Sequence, residues 1–352
     1  MSFFKNILNL EKDTIGLDIG QRAIKVVALK KSGSKINLLS YSKVPIDFPI
    51  FGQNNLLNKT DLAEKIKEAI AAAKPNRLNR KNVVVSLPES KVFLKIIKIP
   101  GNLSENELKN AIFWQAKQEI PLKPSEAEFS YVPISQTEKE IEVLLVAAPK
   151  SLLEDYLDIV RKADLELVAV EIDPIAQSRA LISNEDKDKT VLICDIALKN
   201  IGLVLWSKGS VRISGSILMG EEDLYGFLKE VFSEDEIAKF KNVEELYKKF
   251  SKKFEEAFQR PFSQIQQEIE KITSFYQRET GNKLDKIILA GGGSDFPYLK
   301  SYLRQAFKKT IQMANPQFSY PNLNLSPITF KDIPVFTTAI GLALREFDDE
   351  KD

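Results

Sequence analysis

The chain contains no histidine. That absence removes Ser-His-Asp and Cys-His nucleophilic catalysis, and every histidine metal ligand. Cysteine is nearly missing as well. Cys194 stands alone inside an apolar run, so no disulfide framework or zinc ribbon can form within the chain. A single buried, inert thiol fits a reducing compartment. An excess charge of either sign is also missing. The 50 basic and 49 acidic residues leave a net charge of +1 across 352 residues, which argues against nucleic acid as a partner. No stretch approaches the roughly 18 apolar residues that cross a bilayer, so a direct membrane span is not expected. Met1–Leu10 is too short and polar for a secretory signal and reads as a lead-in segment or short amphipathic helix. What remains is a soluble globular chain, 43% hydrophobic and 28% charged, long enough for two lobes.

The most informative stretch present is Thr14-Ile15-Gly16-Leu17-Asp18-Ile19-Gly20. A weaker echo follows at Val191-Leu192-Ile193-Cys194-Asp195-Ile196-Ala197, and the two aspartates lie 177 positions apart, almost half the chain. An apolar run ending in Asp and a small residue predicts a buried strand that delivers a carboxylate to a tight turn. Two such strands predict a duplicated α/β architecture with a site in the cleft between the halves.

Each copy continues alike. Strands over 23–30 and 35–44 flank a Lys31–Ser34 turn, and strands over 201–207 and 210–218 flank Lys208-Gly209. The span 86–149 reads differently. Lysines alternate with apolar residues over 92–99, and the capping box Ser104-Glu105-Asn106-Glu107 opens a helix that stops at Pro121. Two further strands complete a small α/β insertion, and Trp114 falls opposite the apolar arc of its helix. A polar link over 184–189 separates the lobes. Apolar residues at 258, 262, 265, 269, 272 and 276 mark one stripe of a long amphipathic helix. The expected organisation is lobe I over 12–188 plus 333–352, with the insertion at about 86–149, and lobe II over 189–332.

A carboxylate at a strand end beside glycine suits a magnesium nucleotide. Turn amides and Lys25 would hold phosphate oxygens, and Asp18 would orient Mg2+ through its water shell. An ordinary hairpin turn is the plain alternative. Gly291-Gly292-Gly293, after the buried strand 286–290 and before a helix, lets a ligand approach the backbone closely. It lacks the spacing of a Walker loop or a dinucleotide fingerprint.

Together these motifs resemble those of the actin-like ATPase superfamily, which includes actin, sugar kinases, DnaK-type chaperones and FtsA. The resemblance implies a two-lobed α/β fold of duplicated ribonuclease-H-like domains. It makes Asp18, Gly20, Gln21, Arg22 and Lys25 the first phosphate loop, Asp195 to Asn200 the second, and Gly291, Gly292, Gly293 and Ser294 the adenosine loop. It implies bound ATP or ADP, with Mg2+ held through water by Asp18 and Asp195. A narrower resemblance is to the PilM family, cytoplasmic actin-like proteins of type IV pilus assembly. It is carried by Gly16–Gly20 with Lys25, Val85–Ser90, Glu107–Ile112 followed by Glu119-Ile120-Pro121, Asp173–Ala176 before Arg179-Ala180, Leu289–Ser294, Ala314-Asn315-Pro316 and Ala339–Arg345. The insertion then matches the subdomain called 1C in PilM and FtsA. The family implies that the groove beside 1C takes the cytoplasmic N-terminal tail of the inner-membrane protein PilN, with Trp114 as a candidate contact. It also implies the pilus assembly ATPase and platform proteins as partners, self-association into a ring, and recruitment to the inner face of the cytoplasmic membrane.

The second phosphate loop departs from the family pattern, with Ala197 where Gly is usual and Asn200 where a hydroxyl is common. A Cβ there disfavours positive φ and close approach to phosphate. Asp173 sits where relatives position water, and a helix N-cap before Pro174 is its alternative role. Glu236-Ile237-Ala238-Lys239 is the best match to the family's ribose-binding Glu-x-x-Lys. The expectation is nucleotide binding with slow or absent hydrolysis. A sugar or acetate-type kinase needs an acceptor-binding cluster that the sequence does not show beyond Asp173. FtsA relatives end in an amphipathic membrane helix and GspL-type relatives continue into a membrane span, whereas Arg345–Asp352 is polar and acidic.

Overall fold

The computed structural model describes residues 13–52 and 55–350, so the Met1–Leu10 segment lies outside the described residues. The chain opens with three antiparallel strands, β1 (Ile15–Ile19), β2 (Ala23–Ser32) and β3 (Lys35–Pro45), followed by α1 (Lys59–Ala71), the two-residue β4 (Lys74–Pro75) and β5 (Asn82–Leu87). The insertion comprises β6 (Phe93–Pro100), α2 (Glu105–Glu119), β7 (Ala127–Gln136) and β8 (Glu140–Pro149). It forms its own three-stranded sheet in the order β6-β8-β7. Ser86 lies in β5, so the separate sheet begins at Phe93 rather than at 86. Then come α3 (Lys150–Lys162), β9 (Glu166–Ile172) and α4 (Asp173–Leu181).

The second lobe starts with β10 (Val191–Ile196), β11 (Ile201–Ser207) and β12 (Ser210–Ile217). Helices α5 (Glu221–Val231), α6 (Glu234–Ala238), α7 (Val243–Lys249) and α8 (Ser251–Thr280) follow. The apolar stripe buries Phe258, Phe262, Ile265, Ile269 and Tyr276, but α8 starts at Ser251, because Phe254 extends the same stripe one turn earlier. Then β13 (Lys286–Ala290), α9 (Leu299–Phe307), β14 (Thr310–Met313), β15 (Leu323–Asn324) and α10 (Thr337–Ala343) complete the order.

The two main sheets share one topology. Strands β3-β2-β1-β5-β9 of the first correspond to β12-β11-β10-β13-β14 of the second. Even the hairpin register repeats at the 177-residue offset: Ile15 faces Ala28 and Leu192 faces Leu205, and their parallel partners Val83 and Ile287 take matching places. Side chains alternate across each sheet. In the first, Leu17, Ile24 and Val26 face α1 and α3, while Val27 and Leu29 face α10. In the second, Leu192 and Cys194 face α8, while Val191 and Ile193 turn inward. The inward faces of both sheets close on one shared core containing Ile288, Phe336, Ala339 and Ile340. A cleft opens above this core at the ends of β1 and β10.

The chain returns to lobe I by Leu323, which pairs in parallel with Ile36 of β3, ten residues before the return expected at 333. Helix α10 then crosses α4 and β1 with no room for side chains. A Cβ on Gly341 would sit 1.9 Å from the Ala176 carbonyl oxygen, and one on Gly16 would sit 2.1 Å from that of Ala339. The insertion is tied to lobe II, because Arg212 of β12 donates to Glu142 of β8 at 2.6 Å.

Candidate functional site

Strand β1 ends at the cleft with Asp18, and its register partner on β2 is Lys25. Directly opposed residues on antiparallel strands share a face. The Lys25 ammonium donates to Asp18 Oδ2 at 2.6 Å. Between them Gly20 closes the turn by donating its N–H to the Ala23 carbonyl at 3.1 Å. A Cβ on Gly20 would stand 3.4 Å from Lys25 Nζ and 3.9 Å from Asp18 Oδ1, filling the hollow between the charges. That hollow, with a cation and turn amides on its rim, fits a phosphate oxygen.

The second turn is built the same way. Ala197 donates to the Asn200 carbonyl at 3.0 Å, the bond Gly20 makes 177 residues earlier. Neither Gly20 nor Ala197 adopts a positive φ. The expected conformational penalty of Ala197 is therefore absent, and only the volume of its methyl group separates the two turns. One difference is larger. Asp195 faces Gly202 in the β10–β11 register, where Asp18 faces Lys25. The second carboxylate has no lysine of its own.

These turns line one cavity of about 430 Å³ between the lobes. It brings together Asp18, Gly20, Gln21, Arg22, Lys25, Asp173, Asp195, Asn200, Gly291, Gly292 and Ser294, eleven of the residues expected at the site. Gly291 adopts φ +83 and presses on Asp195, where a Cβ would lie 2.3 Å from Oδ1. Gly293 sits behind the wall. Its N–H donates to the Ile196 carbonyl at 3.0 Å and a Cβ would strike Ile196 Cγ2 at 2.5 Å, so its role is close packing. Ser294 Oγ donates to the Gly291 carbonyl at 2.8 Å and braces the loop.

Glu236 and Lys239 do not reach the cavity. The Glu236 carboxylate accepts the Ser233 N–H at 2.9 Å and the Ser233 hydroxyl at 3.3 Å, capping α6, and lies 3.5 Å from Lys253. Lys239 ends that short helix in solvent. Self-capping at a remote helix start replaces the expected ribose contact. Asp173 does not cap α4 either. It is the first residue of the helix, and Ile172 holds the cap position. Its carboxyl faces the cavity instead.

Sequence reasoning missed Gln177, Glu221 and Lys43, all on the cavity wall. Gln177 is 3% exposed and donates to Asp195 Oδ2 at 2.5 Å. Glu221 opens α5 and lies 3.7 Å from Arg22 across the cleft mouth. The register of a β3 strand could have placed Lys43 beside Lys25, its direct neighbour.

Three carboxylates and one buried ammonium dominate the electrostatics. Burial opposes the Lys25 charge, but Asp18, Asp195 and Asp173 more than offset it and its pKa is raised. Burial, then the charge of Asp18, push the Asp173 carboxyl up to about 8. Burial and Asp18 also raise Asp195, against the pull of Lys25 and the Gln177 hydrogen bond. Such displaced carboxyls mark a site that favours added positive charge. Among the described residues, no three acidic or thiol side chains converge closely enough to ligate a metal directly. The donor set fits a hydrated divalent cation, held through its water rather than caged by protein.

On the insertion, Trp114 is 62% exposed and Phe113 is 40% exposed. Lys117 Nζ lies 4.2 Å from the Phe113 ring centroid and 4.8 Å from that of Trp114. Strand β7 beside them is an edge of the small sheet.

The family model described as "Type IV pilus assembly protein PilM" matches residues 16–347. The chain is similar to a solved PilM-PilN type IV pilus biogenesis complex, with a TM-score of 0.79 and 23% identity over 96% of this chain and 99% of that one. It is also similar to MreB5 of Spiroplasma citri bound to AMPPNP, with a TM-score of 0.51 and 12% identity over 97% and 98% of the two chains. A curated relative is the cell division protein FtsA of Buchnera aphidicola subsp. Schizaphis graminum, 22% identical over 243 residues, covering 60% of this chain and 56% of that protein. The chain thus spans little more than half the length of that relative. These likenesses establish the two-lobed actin-like ATPase fold. Among the described residues no helix is long and apolar enough to cross a membrane.

Proposed function

This chain belongs to the PilM family of type IV pilus assembly proteins, and on that premise we propose that it is a nucleotide-binding scaffold that holds a membrane partner's tail. The observation that carries the nucleotide half is the pair of phosphate-type turns, built in one register at a 177-residue offset and facing a common cavity. The Gly20 turn and Lys25 take phosphate oxygens, and Asn200 faces them from lobe II. Gly291, Gly292 and Ser294 border the nucleoside. Asp18 and Asp195 orient the waters of Mg2+, which when bound neutralises the phosphates and the carboxylates together.

Hydrolysis is slow or absent in this reading. Asp173 is the candidate water-positioning group, and in the ligand-free cleft burial and Asp18 push its carboxyl up to about 8, so at neutral pH it is mostly protonated there and cannot accept a proton from water. The function is then structural: bound nucleotide sets the approach of the lobes. Because Arg212 ties lobe II to the insertion, that approach is passed to the 1C-like subdomain.

The partner in this reading is the cytoplasmic N-terminal peptide of PilN; the likeness to a PilM-PilN complex supports PilN itself as the partner. The exposed Phe113-Trp114 pair and the β7 edge offer apolar anchorage and free backbone for an extended peptide. The protein then works in the cytoplasm at the membrane face, recruited through PilN, beside the pilus assembly ATPase and platform proteins, and self-associates there. Calorimetry with Mg-ATP and with the PilN N-terminal peptide tests both halves. Saturable binding of each is expected, and no Mg-ATP binding at millimolar concentration removes the nucleotide half.

A further inference from the structure

We propose that Gln177 is a positioning residue of the cleft, anchoring the Asp195 carboxylate to lobe I and so fixing the second phosphate turn relative to the first. The duplication makes the reason visible. In the first lobe, Asp18 is held by Lys25 of its own hairpin at 2.6 Å. In the second, the matching register position is Gly202, which has no side chain to offer. The holding group comes instead from the opposite lobe. Gln177 stands on α4, 3% exposed, and its Nε2 donates to Asp195 Oδ2 at 2.5 Å and to Thr338 Oγ1 at 3.3 Å. A glutamine amide carries two N–H groups, and both are engaged.

Asp195 is gripped from its other side as well. Its Oδ1 lies against Gly291, where a Cβ would come within 2.3 Å. Between Gln177 and Gly291 the carboxylate has one orientation. A lysine in the place of Gln177 would neutralise it. A neutral amide orients it and leaves its charge facing the cleft, where a hydrated cation can use it. The same bond joins strand β10 of lobe II to helix α4 of lobe I at the cleft floor, so the lobes are clipped together directly beneath the phosphate turns. Thr338, on α10, steers the amide from below.

Two measurements on the full chain test this. The first needs no ligand. In Gln177→Met, amide hydrogen exchange at 197–200 rises about tenfold, the scale of one lost bond to a charged group, while strands β2 and β8 keep their protection. The second rests on the nucleotide reading above. Mg-ATP affinity falls about tenfold in Gln177→Met, while affinity for ATP in EDTA stays within twofold, because only the hydrated cation reads Asp195. A merely structural role would lower both affinities together. Should Gln177→Met fail to fold, Thr338→Val loses the acceptor that steers the same amide and must show the smaller rise in exchange. Unchanged exchange at 197–200 in every folded variant overturns the proposal, as does an equal loss of both affinities. Wild-type protein that binds no nucleotide at all refutes the nucleotide reading alone, and the exchange result then decides the proposal by itself.

Discussion

Asp173 offers a test of the cleft's electrostatics that needs no ligand. Its carboxyl is pushed from the ordinary 3.8 up to about 8 by burial and by Asp18. The folded protein therefore keeps a proton that the unfolded chain has already lost. Between those two values folding takes up a proton, so stability falls as pH rises from about 4 to about 8 and levels off above. A tenfold change in proton affinity is worth ~1.4 kcal/mol, which bounds the full effect at ~6 kcal/mol. Part of the Asp173 surface opens to the cavity, where water screens its charge. Over the accessible window from pH 6 to pH 8 we expect wild-type stability to fall by ~1–2 kcal/mol. Asp173→Asn removes the titrating group but keeps the shape. Its stability should fall less than half as much over the same window. Urea unfolding at pH 6, 7 and 8 measures both slopes. Equal slopes for wild type and Asp173→Asn would refute the account of a cleft overloaded with carboxylates.

Lys25→Met keeps the length of the side chain and removes the ammonium that balances the cleft carboxylates; urea unfolding at pH 8 should show a loss of about 3 kcal/mol, shrinking at pH 6 as Asp173 takes up its proton. The same variant should bind Mg-ATP at least tenfold more weakly by calorimetry. Trp114→Ala should change thermal stability by under ~0.5 kcal/mol, because the ring is 62% exposed, and should weaken binding of the PilN peptide; unchanged affinity would move the contact elsewhere. Gly341→Ala should cost ~3 kcal/mol or more in urea, since its Cβ meets the Ala176 carbonyl at 1.9 Å and two helices would have to part.

Much of the lobe architecture was legible because its signals are local. An apolar run ending in Asp18 or Asp195 states strand and turn together, and the stripe on α8 states a face. The glycine loop was legible only as a unit. That Gly291 grips Asp195 while Gly293 packs on Ile196 depends on a strand 95 residues away in sequence, and nothing in three consecutive glycines separates the two roles. Gln177 was invisible for the same reason, since its partner belongs to the other lobe. Glu236 misled because a helix-capping Glu and a ligand-binding Glu look alike until the helix start at Ser233 is known. The penalty expected at Ala197 assumed a backbone conformation that the turn does not use.

The return of the chain into lobe I has a consequence for how the protein is made. Lobe II is assembled from one continuous stretch, and its sheet can close as soon as β14 has left the ribosome. Lobe I cannot. Its edge awaits Leu323 and its inner face, with Val27, Leu29, Ile36 and Leu38, awaits α10. The lobe that is synthesised first is thus completed last. During translation its apolar inner face stays uncovered for as long as it takes to add more than a hundred residues, and nascent-chain release at about 320 should leave a second lobe with its sheet closed, lacking only the Phe336 and α10 cover on its inner face, attached to a first lobe that is still unfinished.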